Sequence, residues 1–316
     1  MNKEIPGIMN SDLPANVILF EMQSDIAGIE ENVSIYEEKN FEERIDVIDF
    51  IGFRVIDQIT ELIGTATEPG ELILLEYRAA KIKSGLEEIE VNLFQRLRTY
   101  IRANAYTRKQ FKEMVSEYVS FDSGAQQQQE EPGYDNLDIF INSLFLIKTM
   151  PEQTRELEPE MIYYQKTPAR IIFELVEKAD FRDEDVFFDL GSGLGQVVIL
   201  VNLLTGIRSK GIEFEPAFCA YADDCAAGLN LRAVEFMNVD ARKADYSEGT
   251  VFFMFTPFKG EMLQEVLELL RRESLGRKIK LITYGPCTAQ VALQRWLNCI
   301  TPKSANIYKL AVFSSF

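Results

Sequence analysis

The stretch Val186-Phe-Phe-Asp189-Leu-Gly191-Ser-Gly193-Leu-Gly195-Gln196 constrains this chain more than any other. An apolar strand ends in an acid, three glycines at alternate positions turn the backbone, and a helix opens at Val197. Glycine at these points lets the chain turn sharply and lets a ligand approach the main chain, because a Cβ would block both. A second strand ends Lys210-Gly211-Ile212-Glu213, where a carboxylate is placed to accept two hydrogen bonds from a ribose diol. Together these segments describe an α/β fold with a site for a nucleotide-shaped ligand.

The spacing narrows the ligand. Dinucleotide sites use Gly-x-Gly-x-x-Gly or Ala, and the last small residue of that pattern falls on Gln196 here. The glycines instead run Gly-x-Gly-x-Gly, with Asp189 two residues ahead of the first. That acid disfavours a pyrophosphate, since two like charges would share a poorly solvated turn. It suits a ligand carrying an amino group and a sulfonium. The arrangement resembles the first motif of the class I S-adenosylmethionine-dependent methyltransferases.

Around this unit the strand and helix signals alternate. Strands are expected at 186–190, 210–213, 233–238, 251–255 and 279–284, and helices near 196–204, 216–228, 259–272 and 288–297. The continuous apolar run Val251-Phe-Phe-Met-Phe255 fits a strand covered on both faces. Ile307 to Phe313, after Pro302, reads as part of a closing strand pair. Residues 134–316 are therefore expected to form a Rossmann-like, doubly wound, mostly parallel sheet with a C-terminal strand pair, preceded by an α-helical domain.

Residues 1–40, acidic and containing Pro6 and Pro14, are expected to be a loosely attached arm. Helical periodicity then runs through Ile45, Ile48, Ile51, Val55, Ile59 and Leu62, and again from Leu75 to Ile101, making 41–122 a helical domain. Thr107-Arg-Lys-Gln110 has the form of a capping box. The polar segment 123–133, rich in glutamine, reads as a flexible linker. Thr167-Pro168 is expected to cap a helix that buries Ile171, Ile172, Leu175 and Val176.

The chain contains no histidine, which removes the commonest general base. Cys219, Cys225, Cys287 and Cys299 have no paired short spacing, so no metal site is expected and buried thiols are. No apolar run is long enough to span a bilayer and no secretory leader is recognisable, so a cytoplasmic location is expected. The net charge of −17 argues against tight non-specific nucleic-acid binding. It is uneven: residues 1–50 carry twelve acids and three bases, and 251–316 carry four acids and nine bases.

Ligands in such sheets bind at the C-terminal strand ends. Asp189 and Glu213 stand at the first two. Asp240, beyond the third, is placed to accept from an adenine amino group, or only to cap a turn. Phe214 is placed to pack on a purine, or in the core. After the fourth strand, Thr256, Pro257 and Phe258 either orient a methyl acceptor or form a helix N-cap before Lys259.

Asp189-Leu-Gly-Ser-Gly-Leu-Gly-Gln-Val-Val198, with Tyr164-Gln-Lys-Thr-Pro168 ahead of it, is similar to the non-SET histone lysine methyltransferases, the disruptor-of-telomeric-silencing family. The likeness spans about 163–258. It implies S-adenosylmethionine as cofactor, with Gly191, Gly193 and Gln196 at its methionine end, Gly195 in the same turn, Glu213 on the ribose, and Tyr164 and Thr167 in a covering loop. The chain departs from that family at Thr256-Pro257-Phe258, where the family has an Asn-Asn-Phe-type motif, and in lacking a basic tail. The acceptor, a protein lysine or a small molecule, is therefore not implied. Two other functions stay open: a non-catalytic interaction module with a helical docking domain, and a dinucleotide-dependent oxidoreductase.

Overall fold

The computed structural model describes residues 15–66, 68–103, 108–120, 133–145, 149–302 and 304–316. The chain divides into two compact units, Met1–Gln95 and Arg96–Phe316.

The first unit is helical. It contains α1 (Ala15–Glu31), a 3₁₀ turn (Val33–Tyr36), α2 (Phe41–Asp49), a π-helical stretch (Phe50–Ile56), α3 (Asp57–Thr65) and most of α4 (Gly70–Arg102). Its core gathers Met22, Ile26, Ile35, Ile51, Val55, Ile59, Leu75, Ala79, Ile82 and Leu86. Residues 15–40 are thus not a loosely attached arm. Met22 and Ile26 lie one helical turn apart on the buried face, while Glu21, Asp25, Glu30 and Glu31 are exposed. The acidic composition masked a two-sided helix. Arg44 is fully buried, pairs with Glu90, and donates to the carbonyls of Ile35, Glu37 and Glu38.

The second unit begins inside α4, not at the expected boundary of 122–133. Residues 121–132, which hold nearly all of the expected linker, lie outside the described residues, as does Thr107 of the expected capping box. α5 (Arg108–Ser116) buries Phe111 and Val115 and packs on α8 (Gln196–Thr205), so it belongs with the sheet unit. α6 (Asn136–Leu144) and α7 (Ala169–Ala179) follow.

Among the described residues the sheet has seven strands, in the order β3-β2-β1-β4-β5-β7-β6. These are β1 (Val186–Leu190), β2 (Arg208–Glu213), β3 (Val234–Asn238), β4 (Val251–Met254), β5 (Lys280–Thr283), β6 (Leu297–Cys299) and β7 (Ala311–Ser315). Strands β1 to β5 are parallel, and β7 runs antiparallel between β5 and β6. Helices α8, α9 (Pro216–Gly228) and α10 (Gly260–Ser274) make the crossovers. Every residue of β1, β4 and α8 is buried, as the unbroken apolar runs require. Chain order reverses between β1 and β4, and that reversal opens a crevice beside the end of β1.

Two local expectations fail. The helix expected at 288–297 shortens to α11 (Cys287–Val291), and Leu297–Cys299 becomes the edge strand β6. A short apolar run carries no period that separates helix from strand, and pairing with β7 decides it. Thr167 does not cap α7. Pro168 occupies the cap position without a side-chain bond, and Asp138 of α6 accepts the Ala169 N–H at 2.9 Å.

Asp138 also closes the capping box of its own helix and is 2% exposed. One carboxylate therefore fixes the starts of α6 and α7. Asp138→Ala strands a buried N–H and removes a cap, and is expected to cost about 1–3 kcal/mol of stability. Urea denaturation checks this; an unchanged midpoint would show that water satisfies Ala169 instead.

Candidate functional site

A cavity of about 320 Å³ lies at the C-terminal ends of β1, β2 and β4. Asp189, Gly191 and Ser192 line it from β1, Gln196 and Val197 from the start of α8, and Ile212 to Glu215 from β2. Phe255 to Lys259 close it beyond β4, and Tyr163, Tyr164, Gln165 and Thr167 close it from the segment ahead of α7. Among the site residues expected from sequence, Gly193, Gly195 and Asp240 are not in the lining.

The glycine turn explains the first two. Gly193 has φ +52°, and a Cβ there would fall 2.2 Å from the Tyr164 ring, so its bareness lets Tyr164 lie against the turn. Its N–H donates to Glu213 Oε2 at 2.7 Å. Gly195 is the left-handed cap of α8, and a Cβ on it would meet Ala222 and Phe236 within 2.6 Å. It serves the packing of helix on sheet.

Asp240 is engaged elsewhere. Its carboxylate accepts from Arg242 N at 2.8 Å and pairs with the Arg242 guanidinium at 2.7 Å, which also pairs with Glu158. The Arg242 hydrogen bond is the main cause that holds its pKa below the ordinary value. The turn-capping role is the one it fills, and its neighbours Val239 and Ala241 line the cavity in its place.

The floor of the cavity is acidic and poorly solvated. Asp189 is 3% exposed; burial, then the neighbouring Glu213 charge, raises its pKa well above the ordinary carboxylate value. Burial raises Glu213 too, against the opposing hydrogen bonds from the N–H groups of Glu215 and Gly193. Burial likewise raises the Tyr164 hydroxyl. Beside these acids, Ser192 Oγ and both amide atoms of Gln196 are buried with no hydrogen-bond partner among the described residues. Buried polar atoms are seldom left so, and these line a ligand-sized space. Two carboxyls, a hydroxyl and an amide donor and acceptor fit a ligand that combines a cationic amine, a carboxylate and a ribose.

Thr256 holds the far wall. It has φ +43°, a strained setting for a β-branched residue. Its hydroxyl accepts from Cys287 N at 3.1 Å and donates to Tyr284 O at 3.2 Å, tying the β4 loop to the β5 loop. It is not the N-cap of α10: Lys259 holds that position, and Glu160 caps the helix from outside through Glu261 N and Met262 N. Pro257 lies over Gly191, and Phe258 is 4% exposed in the core while also lining the cavity. Sequence reasoning missed Glu215, Thr154 and Glu160. Glu215, directly before Pro216 at a helix start, was the one with a readable signal.

Among the described residues no group of three or more His, Cys, Asp or Glu side chains is arranged to hold a metal ion, and no helix is long and apolar enough to cross a membrane.

Residues 155–266 match the family model described as histone methylation protein DOT1. The match takes in β1 to β4 and the whole glycine turn, and it covers well under half of the chain. Solved structures with similar folds include an RNA methyltransferase from Salinibacter ruber in complex with S-adenosyl-L-homocysteine, 24% identical over 48% of this chain and 92% of its own, with a TM-score of 0.39. A precorrin-6y C5,15-methyltransferase from Geobacter metallireducens is 17% identical over 49% and 92%, with a TM-score of 0.37. A methyltransferase from Aquifex aeolicus is 17% identical over 45% and 88%, with a TM-score of 0.38. No curated protein matches the chain. Over residues 155–266 the chain is thus similar to the histone methylation family.

Asp189 gives this site a pH signature. Its folded pKa is raised, so its contribution to stability is complete below about pH 3.9, the unfolded value, and is lost as pH rises through the folded pKa. Asp189→Asn removes that loss. The variant is expected to melt at a higher temperature than the parent at pH 8 without ligand, and to bind S-adenosylhomocysteine at least tenfold more weakly, about one charged hydrogen bond's worth. Thermal unfolding at pH 5 and 8, with calorimetry, checks both; a variant less stable at pH 8 would mean the carboxylate is ionised and well paired.

Proposed function

We propose that the second unit binds S-adenosylmethionine in this cavity and directs its methyl group to a protein side chain, lysine among them, or to a small molecule entering beside Phe255 to Phe258. The observation that carries the reading is the unpartnered amide of Gln196 beside two buried carboxyls at the glycine turn. The cofactor supplies an electrophilic methyl group on a sulfonium centre.

The chain's own residues hold and align. Asp189 offers a counter-charge to an ammonium, Gln196 and Ser192 offer hydrogen bonds to a carboxylate or amine, and Glu213 offers acceptors to a diol. Phe214 and Val239 supply apolar walls. On the acceptor side Thr256 fixes the mouth rather than touching the reacting atoms. Phe255 and Tyr284 stand edge to face at 4.7 Å, and Tyr308 lies 5.8 Å from Tyr284. An in-line displacement needs alignment and exclusion of water more than proton removal, which suits a chain without histidine.

Calorimetry with S-adenosylhomocysteine and with NAD separates a methyltransferase from an oxidoreductase, and transfer of a labelled methyl group into a cell extract separates an enzyme from a docking scaffold. Gln196→Met keeps the side chain's shape and removes both polar atoms. It is expected to weaken S-adenosylhomocysteine binding about tenfold, as the loss of one or two net hydrogen bonds would. Equal affinity would remove Gln196 from the site. Thr256→Ala is expected to slow transfer about two- to twelvefold with unchanged S-adenosylhomocysteine affinity; a matching loss of affinity would place Thr256 on the cofactor side instead.

A further inference from the structure

Glu215 is 2% exposed, yet among the described residues it forms no ion pair. Its carboxylate accepts four hydrogen bonds: from Thr154 N at 2.9 Å, Thr154 Oγ1 at 2.6 Å, Arg155 N at 2.8 Å and Ala217 N at 3.0 Å. Burial opposes its ionisation, and the bonds from Thr154, Ala217 and Arg155 outweigh that and hold its pKa below the ordinary value. Three of the four donors belong to a strap without regular secondary structure about sixty residues earlier in the chain. Only the Ala217 bond is helix capping in the ordinary sense.

The strap forms part of the cavity wall. Gln153 and Leu157, on either side of the two bound residues, both line the cavity. Arg155 adds a bond from Nη1 to Phe214 O at 2.8 Å and places its guanidinium 4.9 Å above the Phe214 ring, itself in the lining. Further along, the strap is fastened independently. Glu158 pairs with Arg242, Glu160 accepts from the start of α10, and Ile162 N donates to Pro257 O at 3.0 Å. Loss of the Glu215 bonds therefore leaves the part around 153–157 held only through the Arg155 side chain, at Phe214 and Asn238, and leaves the rest in place. Glu215 N also donates to Glu213 Oε1 at 2.8 Å, so the strap's anchor and the carboxylate facing the ligand share one backbone unit.

We propose that Glu215 is the latch of a gate over the cofactor cavity: its carboxylate pins residues 153–157 across the end of β2, and release of that pin sets the rate of cofactor exchange. Glu215 is a positioning residue that acts through the strap. The proposal rests on the S-adenosylmethionine reading of the cavity.

A gate and a fixed wall differ in kinetics. Loosening a gate raises association and dissociation rates together, whereas losing part of a wall raises dissociation alone. The full chain, immobilised for surface plasmon resonance with S-adenosylhomocysteine, gives both rates for the parent, Glu215→Gln and Thr154→Val. Thr154→Val spares the cap on α9, so it keeps the test sound if Glu215→Gln disturbs that helix. Both variants are expected to dissociate about tenfold faster and to associate several-fold faster. Trypsin cleavage after Arg155 is expected to be slowed by S-adenosylhomocysteine in the parent and hastened in both variants. Unchanged rates and cleavage in variants that bind the ligand would overturn the latch and leave the cofactor reading standing. Faster dissociation alone, with cleavage unchanged, would reduce Glu215 to a wall and also overturn it. A folded parent that does not bind S-adenosylhomocysteine would overturn the cofactor reading, and the latch with it.

Discussion

The 2.7 Å bond from Gly193 N–H to the Glu213 carboxylate is the interaction around which the second unit is arranged. It joins the turn after β1 to the end of β2, two neighbouring parallel strands whose connection must pass through a buried helix. Burying a carboxylate without a cation is costly unless several donors converge on it. The N–H groups of the turn and of Glu215 provide those donors, and in doing so fix where the turn lies. Tyr164 then rests on the bare face of Gly193, and the segment ahead of α7 is set over the cavity.

The two sides of the cavity are chemically unlike. The β1–β2 side is acidic, buried and rich in uncommitted hydrogen-bonding capacity at Gln196 and Ser192. The β4–β5 side is built from proline and aromatic rings, with a threonine held at positive φ by bonds to the next loop. The first can recognise a charged, polar ligand by its groups; the second can shape an opening but offers little to read. A strained residue kept there by its neighbours is the kind of feature that scaffolds preserve where geometry matters.

How much of this was legible follows from the physics of each signal. Strands β1 and β4 were readable because burial on both faces leaves an unmistakable apolar run, and the glycine turn because its backbone shape leaves few alternatives. Gln196 and Glu213 were readable by their positions relative to that turn. For Asp240 the sequence left two roles open, and Arg242, two residues on, claims its carboxylate for the turn, a competition that spacing does not reveal. The 15–40 region was misread because its acids sit on the outer face of an otherwise ordinary helix. Within α4 the sequence period gave no sign of where one unit stops, since a helix can run on unchanged while its packing partners change. The Glu215 bonds to Thr154 and Arg155, and the Asp138 bond to Ala169, join residues far apart in the chain, and no local pattern encodes them.

The third glycine of the turn has a bearing on how such motifs are read in other chains. Gly191 lies beneath Pro257 on the wall of the cavity, and Gly193 lies beneath Tyr164, but Gly195 faces Ala222 and Phe236 in the interior. Descendants of this fold that had lost their ligand would be released from the demands on the first two and still bound by the third, because helix and sheet must meet there whatever the cavity holds. Presence of the last glycine therefore reports kinship of architecture, and only the first two report upkeep of the pocket.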